Sequence, residues 1–180
     1  MMETATLPSH ITAASGWTLR DLLRMEVRLM AQAMPDCPYP YQGPRDFVLQ
    51  LGSGFPWRPL PDGMRMRAAK QCYENAARLT LREPKKFLYV EGIALGVIAP
   101  VPHAWCIDRE GYVVDPTWRN VDERRYFGVP FETSYLRRRL YETVEHGALI
   151  DVFEGDERWP LCRGIHSIEE AVADLGEWLS

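Results

Sequence analysis

Residues 101–118 read VPHAWCIDREGYVVDPTW, and within them His103 and Asp115 stand on either side of a turn signal. A histidine held by a carboxylate is the base-and-orienter half of a nucleophile–base–orienter triad. The carboxylate fixes the ring tautomer and stabilises the imidazolium. Whether the two residues meet depends on strand register. A three-residue hairpin loop built as a type I turn plus a left-handed residue wants glycine in third place. Gly111 fills that place if the loop is Arg109-Glu110-Gly111. Asp108 then pairs with Tyr112, Ile107 with Val113 and Trp105 with Asp115. Alternation puts His103, Trp105 and Asp115 on one face. Asp115 is then diagonal to His103, at ~7–8 Å between backbones and within side-chain reach. A loop one residue shorter or longer sends Asp115 to the opposite face.

The pair needs a nucleophile, and the cysteines stand at 37, 72, 106 and 162. Cys106 alternates to the face opposite His103 and reads as a core thiol. Cys37, in a Pro-rich loop, and Cys162, near the C-terminal helix, have no supporting context. Cys72 lies in KQCYENAARL, on a helix just before the strands. A thiol near a helix N-terminus and beside an imidazolium has a lowered pKa. The thiolate–imidazolium pair is the reactive form for acyl transfer. The Cys72 backbone N–H, Gln71 and Asn75 are candidate oxyanion donors, Asn75 because position i+3 shares the Cys72 face of a helix. Trp105 is a candidate to line the site, and for both Trp105 and Trp118 packing is the alternative to a substrate platform. Glu91 either points into the cleft or solvates an edge. His10, His146 and His166 have no cluster around them, so neither a metal nor another cofactor is expected.

These residues need elements to hold them. Residues 18–33 carry an N-cap signal at Thr18 and Asp21 and an apolar stripe at helical spacing, ended by Pro35. Residues 35–63 are rich in Pro and Gly and read as a long loop in which only DFVLQL suggests a strand. Residues 64–83 are strongly helix-forming and stop at Pro84. A helix opened at Asp62-Gly63 leaves Cys72 in mid-helix, whereas a break near Lys70 puts it at the N-terminus. Residues 86–98 are β-rich, and 103–108 with 112–115 make the hairpin. YFGVPF, at 126–131, falls in a loop after the hairpin and either walls the cleft or packs. Helices are expected at 133–146 and at 167–179, the latter opened by a capping box from Ser167 to Glu170. The order predicts an α+β fold with an antiparallel sheet. Residues 1–16 read as a flexible arm, and 17–180 as one domain.

Composition narrows the partners. The chain has 180 residues, 46% apolar and 26% charged, enough for a core without staples. Net charge is −4, and basic residues at Arg124, Arg125 and Arg137-Arg138-Arg139 make no stripe suited to nucleic acid. The arginine run reads as a solvated helix face. No apolar run approaches the ~20 residues of a membrane span, and no secretory leader is recognisable. Unpaired cysteines without a CxxC spacing suit free thiols in a reducing cytoplasm.

Taken together, CYENA at 72–76, YVEG at 89–92, HAW at 103–105 and VVDPTW at 113–118 resemble the transglutaminase-like branch of the papain-like superfamily. The resemblance covers roughly residues 64–118. It implies a Cys-bearing helix packed on an antiparallel sheet, with Cys72 as nucleophile, His103 as base and Asp115 as orienter. Thioester chemistry on an amide or ester of a protein or peptide is the implied activity, with hydrolysis slightly ahead of transfer. A scaffold that binds or inhibits without turnover is the alternative, and a metal-dependent hydrolase is a third.

Overall fold

A computed structural model describes residues 18–96, 99–118, 125–154 and 157–180. The expected N-terminal arm, the last two residues of the 86–98 segment and Arg124 lie outside the described residues.

Helix α1 spans Leu19–Ala33. Thr18 accepts from the Asp21 N–H, and Asp21 accepts from the Thr18 N–H in return, at 3.1 Å each. The apolar side buries Leu19 and Leu23. The segment expected to hold at most a strand instead forms α2, Pro44–Leu51. A short apolar run does not distinguish the two periodicities. Pro44 in the first turn, where its missing N–H costs nothing, and the buried Phe47 and Val48 select the helix. Strand β1, Ser53–Phe55, follows within the same Pro/Gly-rich stretch.

Helix α3 spans Cys72–Arg82 and therefore opens at the candidate nucleophile. The helix-forming residues before it are held out of the helix by tertiary bonds. The Arg67 N–H donates to the Pro116 carbonyl at 2.7 Å, and the Asn75 amide donates to the Ala68 carbonyl at 2.8 Å. Lys70 takes a left-handed φ of 65°, which breaks the chain direction two residues before Cys72.

Strands β2 (Leu88–Leu95), β3 (Pro100–Ile107), β4 (Val113–Val114) and β5 (Tyr126–Phe131) complete a five-stranded antiparallel sheet in the order β1-β5-β2-β3-β4. YFGVPF is thus a strand between β1 and β2. Pro130, which has no N–H to give, lies beyond the stretch that β1 pairs with.

Alternation along β2 divides the core. Tyr89 and Ile93 face the helices together with Cys106, Val129 and Phe131. Leu88, Val90 and Ala94 face the other way with Trp105, Ile107 and Tyr126. Helix α4 spans Thr133–Thr143. On it Arg138 is exposed and pairs with Glu170, while Arg139 is buried and bonds Glu142, so only part of the arginine run is a solvated face. A two-stranded ribbon, β6 (Phe153–Glu154) and β7 (Glu157–Arg158), follows. The expected C-terminal helix is two short ones, α5 (Ile168–Ala171) and α6 (Leu175–Trp178). Ser167 caps the first by accepting from the Glu170 N–H, but the Glu170 carboxylate pairs with Arg138, so the expected box forms only in part. The break between them lets Val172 bridge Phe131 and lets the Ala173 N–H reach the Pro130 carbonyl at 3.1 Å.

Candidate active site

The hairpin fixes everything else. Ile107 pairs with Val113 and Cys106 with Val114, the register that the Arg109-Glu110-Gly111 loop requires. Gly111 has φ 82°, and its N–H returns to the Asp108 carbonyl at 3.1 Å. Asp108 Oδ1 accepts from the N–H groups of Glu110 and Tyr112, and Oδ2 is clamped by Arg58 at 2.5 Å. A loop tied at so many points resists slipping by one residue.

In that register His103 and Asp115 meet. The His103 Nε2–H donates to Asp115 Oδ2 at 2.7 Å, with both side chains buried. Asp115 is saturated by further donors. Tyr126 Oη–H reaches Oδ2 at 2.9 Å, and the N–H groups of Thr117 and Trp118 reach Oδ1 at 2.8 and 3.3 Å. These bonds compensate the cost of a buried carboxylate and leave it one orientation. Trp118 stacks on the imidazole with centroids 3.9 Å apart and planes 19° from parallel. The ring is fixed from one side by Asp115 and from one face by Trp118.

Strand β4 is short and pairs with β3 at residues 106 and 107, so it does not flank β3 at His103. The start of α3 comes in beside the Asp115-Pro116-Thr117 turn. Asn75 Nδ2 donates to Thr117 Oγ1 at 3.1 Å, in addition to its bond to Ala68. This brings Cys72 to His103, whose Nδ1 is left for the thiol once Nε2 is taken by Asp115. The electrostatics reflect that contact. Burial pushes His103 toward the neutral ring, but the Asp115 hydrogen bond and the Cys72 thiol outweigh it, and the pKa rises to about 8. The imidazolium, which a neighbouring thiolate needs, is favoured. Cys72 is the first residue of α3, so its own N–H is among those with no intrahelical partner.

The remaining candidates sort by geometry. Gln71 is the exposed N-cap residue of α3, and its side chain makes no cap bond. Asn75 spends both amide hydrogens on Ala68 and Thr117, so it braces the turn below the triad instead of facing an oxyanion. Trp105 is fully buried. It packs edge-on against Tyr126 at 5.1 Å, and Gly128 makes room for its ring, since a Cβ there would lie 2.7 Å from Cη2. It supports the site from within the core and lines no open space. Cys106 accepts from the Thr80 hydroxyl and donates to the Ala76 carbonyl, and burial raises its pKa to about 12. Burial does the same to Cys162.

Two contributors escaped the sequence reading. Tyr126 lies in a segment whose alternation does not by itself distinguish a strand from a loop, and Thr117 follows directly from the DPTW turn and could have been read from it. Trp118, for which packing and a substrate platform are the alternatives, packs on the His103 ring. Glu91 is resolved in favour of the interior. It is 3% exposed and accepts from the N–H groups of Leu149 and Ile150 at 2.7 and 3.1 Å.

Among the described residues no group of His, Cys, Asp and Glu could hold a metal ion, and no helix is long and apolar enough to cross a membrane. Comparison of the chain with protein-family models, with curated proteins and with solved structures gives no match.

Proposed function

We propose that this chain is a cysteine-dependent acyl-group enzyme of papain-like, transglutaminase-like architecture. Cys72 attacks the carbonyl of an amide or ester. His103 takes the thiol proton and passes it to the leaving group. The resulting thioester is resolved by water, with an amine as the competing acceptor. The expected substrate is a protein or peptide, met in a reducing cytoplasm where the thiol stays free. The observation that carries this reading is one chain of contacts. A buried carboxylate holds Nε2 of His103, and the thiol beside that ring belongs to the first residue of a helix. The bond to Asp115 and the neighbouring thiol both favour the imidazolium form of His103.

A second reading keeps the scaffold and drops turnover, as a protein-binding or inhibitory module. It is favoured by the closure of the site, since His103 is only 2% exposed and lies under Trp118. Iodoacetamide separates the two. Cys37 is a half-buried thiol like Cys72 and serves as the internal standard. Near neutral pH, mass spectrometry should show Cys72 alkylated at least about tenfold faster than Cys37. Equal or slower reaction at Cys72 removes the enzyme reading and leaves the scaffold.

A further inference from the structure

A cavity of about 200 Å³ lies one residue along the chain from Cys72 and from His103, neither of which lines it, and it is walled by Tyr73, Ile93, Pro102 and Ile150 and carries Glu91 and Asp151. Tyr73 and Pro102 are the chain neighbours of Cys72 and His103, and Gly92, which also lines it, is the strand partner of His103. The space is below the roughly 300–1,000 Å³ of a site for a drug-sized ligand, and it suits a single side chain. Its walls are mostly apolar, but the charges around it do not cancel. Arg45, on the α2 side, is paired with Glu26 at 3.1 Å. Glu91 and Asp151, which make no ion pair among the described residues, remain on the lining. Glu91 Oε2 accepts from Leu149 and Tyr89, while Oε1 accepts from Ile150. Asp151 Oδ1 accepts from the Trp159 indole at 2.6 Å. Each carboxylate retains acceptor capacity.

We propose that this cavity is the subsite for a long, unbranched cationic side chain, that of lysine, on the acyl side of the bond that Cys72 attacks. The inference rests on the Cys72 reading above. The methylene stem lies along Tyr73, Ile93, Pro102 and Ile150, and the ammonium meets Glu91 and Asp151. An anionic side chain is excluded by the same two carboxylates, and a β-branched one lacks the reach.

The pairing depends on pH through Glu91. Burial raises its pKa to about 7, against the hydrogen bonds from Leu149, Ile150 and Tyr89. The other groups facing it are Tyr89 on β2, Tyr73 on α3, Arg45 on α2, Asp151 and Cys162. Burial pushes both phenols and the Cys162 thiol upward, away from the range in which Glu91 ionises.

The test uses two thiol-directed peptidyl acyloxymethyl ketones that differ only in carrying lysine or norleucine at the acyl-side position. The full chain is reacted with each, and Cys72 alkylation is timed by mass spectrometry. The lysyl-to-norleucyl rate ratio cancels the pH response of the thiolate itself. We expect a ratio of about tenfold at pH 8, the scale of one charge-assisted hydrogen bond, and a fall toward unity at pH 6. Glu91→Gln and Asp151→Asn should each lower the ratio at pH 8, and the wild-type pH dependence needs no variant to fold. A ratio near one at pH 8, with both reagents labelling Cys72, overturns the subsite and leaves the nucleophile standing. A high ratio that does not change between pH 6 and 8 overturns the role of Glu91 in it. Failure of both reagents, together with slow iodoacetamide alkylation of Cys72, overturns the nucleophile and the subsite with it.

Discussion

Two thiols touch the same helix, and their surroundings differ in almost every respect. Cys72 begins α3, half-exposed, with its N–H outside the helical ladder and the His103 ring beside it. Cys106 packs against the middle of that helix, bonded to Ala76 and Thr80, fully buried, its ionisation pushed up to about 12. Cys106 is only three residues from His103 in sequence, yet the pleat turns it to the other side of β3. Cys72 is far away in sequence and is brought to the ring by the Asp115-Pro116-Thr117 turn. Proximity along the chain is therefore a poor guide to which thiol a histidine serves. The face of the strand and the point at which the helix starts decide it.

Removing each thiol is the strongest way to break the comparison. If the proposed acyl chemistry holds, Cys72→Ala should lower turnover by at least about 10³-fold, because no other group in the proposed triad can form the thioester. Cys106→Ala should leave turnover close to wild type and cost about 1–2 kcal/mol of stability through a small cavity and an unpaired Thr80 hydroxyl. Steady-state rates with an activated thioester or ester substrate and urea unfolding measure the two. If Cys106→Ala proves the more damaging to turnover, the assignment of the thiols is reversed.

The next effect concerns the carboxylate that distinguishes the two environments. Asp115→Asn keeps the shape but places an amide that donates where the His103 N–H must donate. The ring is then driven toward the wrong tautomer, for which a loss of about 10²–10⁴ in kcat is expected. Tyr126→Phe removes one of the donors to Asp115 and should cost less, about tenfold or below. A pH–rate profile for each variant tests the account. The basic limb, expected at about 8 from His103 in the wild type, should move down in Asp115→Asn. An unmoved limb argues that Asp115 is only structural.

How much of this was legible in the sequence follows the range of the interactions involved. The hairpin register was readable because one glycine at one loop position decides it, and the structure has Gly111 at φ 82°. The α1 cap was readable for the same reason, since Thr18 and Asp21 satisfy each other locally. The start of α3 was not decidable. Residues 64–71 have good helix propensity and are held outside the helix by a bond to Pro116, nearly fifty residues away. DFVLQL and YFGVPF failed in opposite directions for a shared reason. Both are short apolar runs whose state depends on what they pack against, α2 against α1 and the sheet, β5 between two strands. Asn75 was a reasonable oxyanion candidate from spacing alone, but its partners, Ala68 and Thr117, come from segments that spacing along a helix does not report.

The ionisable groups of the site also set a smaller, global effect. His103 has a folded pKa of about 8 against an ordinary 6.5, so its share of stability is complete below 6.5 and is lost as pH rises through 8. That share is about 2 kcal/mol. Glu91 has the same sign, since its folded value of about 7 exceeds the ordinary 4.5, and its contribution is complete below 4.5 and lost as pH rises through 7. Stability should therefore decline from pH 5.5 to pH 8.5. Urea midpoints at the two values measure it, and Glu91→Gln should flatten the lower part of the slope. A midpoint that rises over that interval contradicts both assignments.

The smallest expected effect is the one that isolates register from chemistry. Gly111→Ala puts a Cβ on a residue with a left-handed backbone, at a cost of about 1–2 kcal/mol. The loop is held by Asp108 and Arg58 independently of that glycine. The strands should keep their pairing, and both the His103–Asp115 bond and the turnover should survive at slightly reduced stability. Deleting Glu110 is the contrasting change, because a two-residue loop moves Asp115 to the opposite face and separates it from His103. The Cys72 alkylation rate reads the outcome directly. It should be near wild type in Gly111→Ala and fall to the level of Cys37 in the deletion. Equal rates in the two variants would mean that Cys72 owes its reactivity to the helix start alone and that the hairpin serves only to support the sheet.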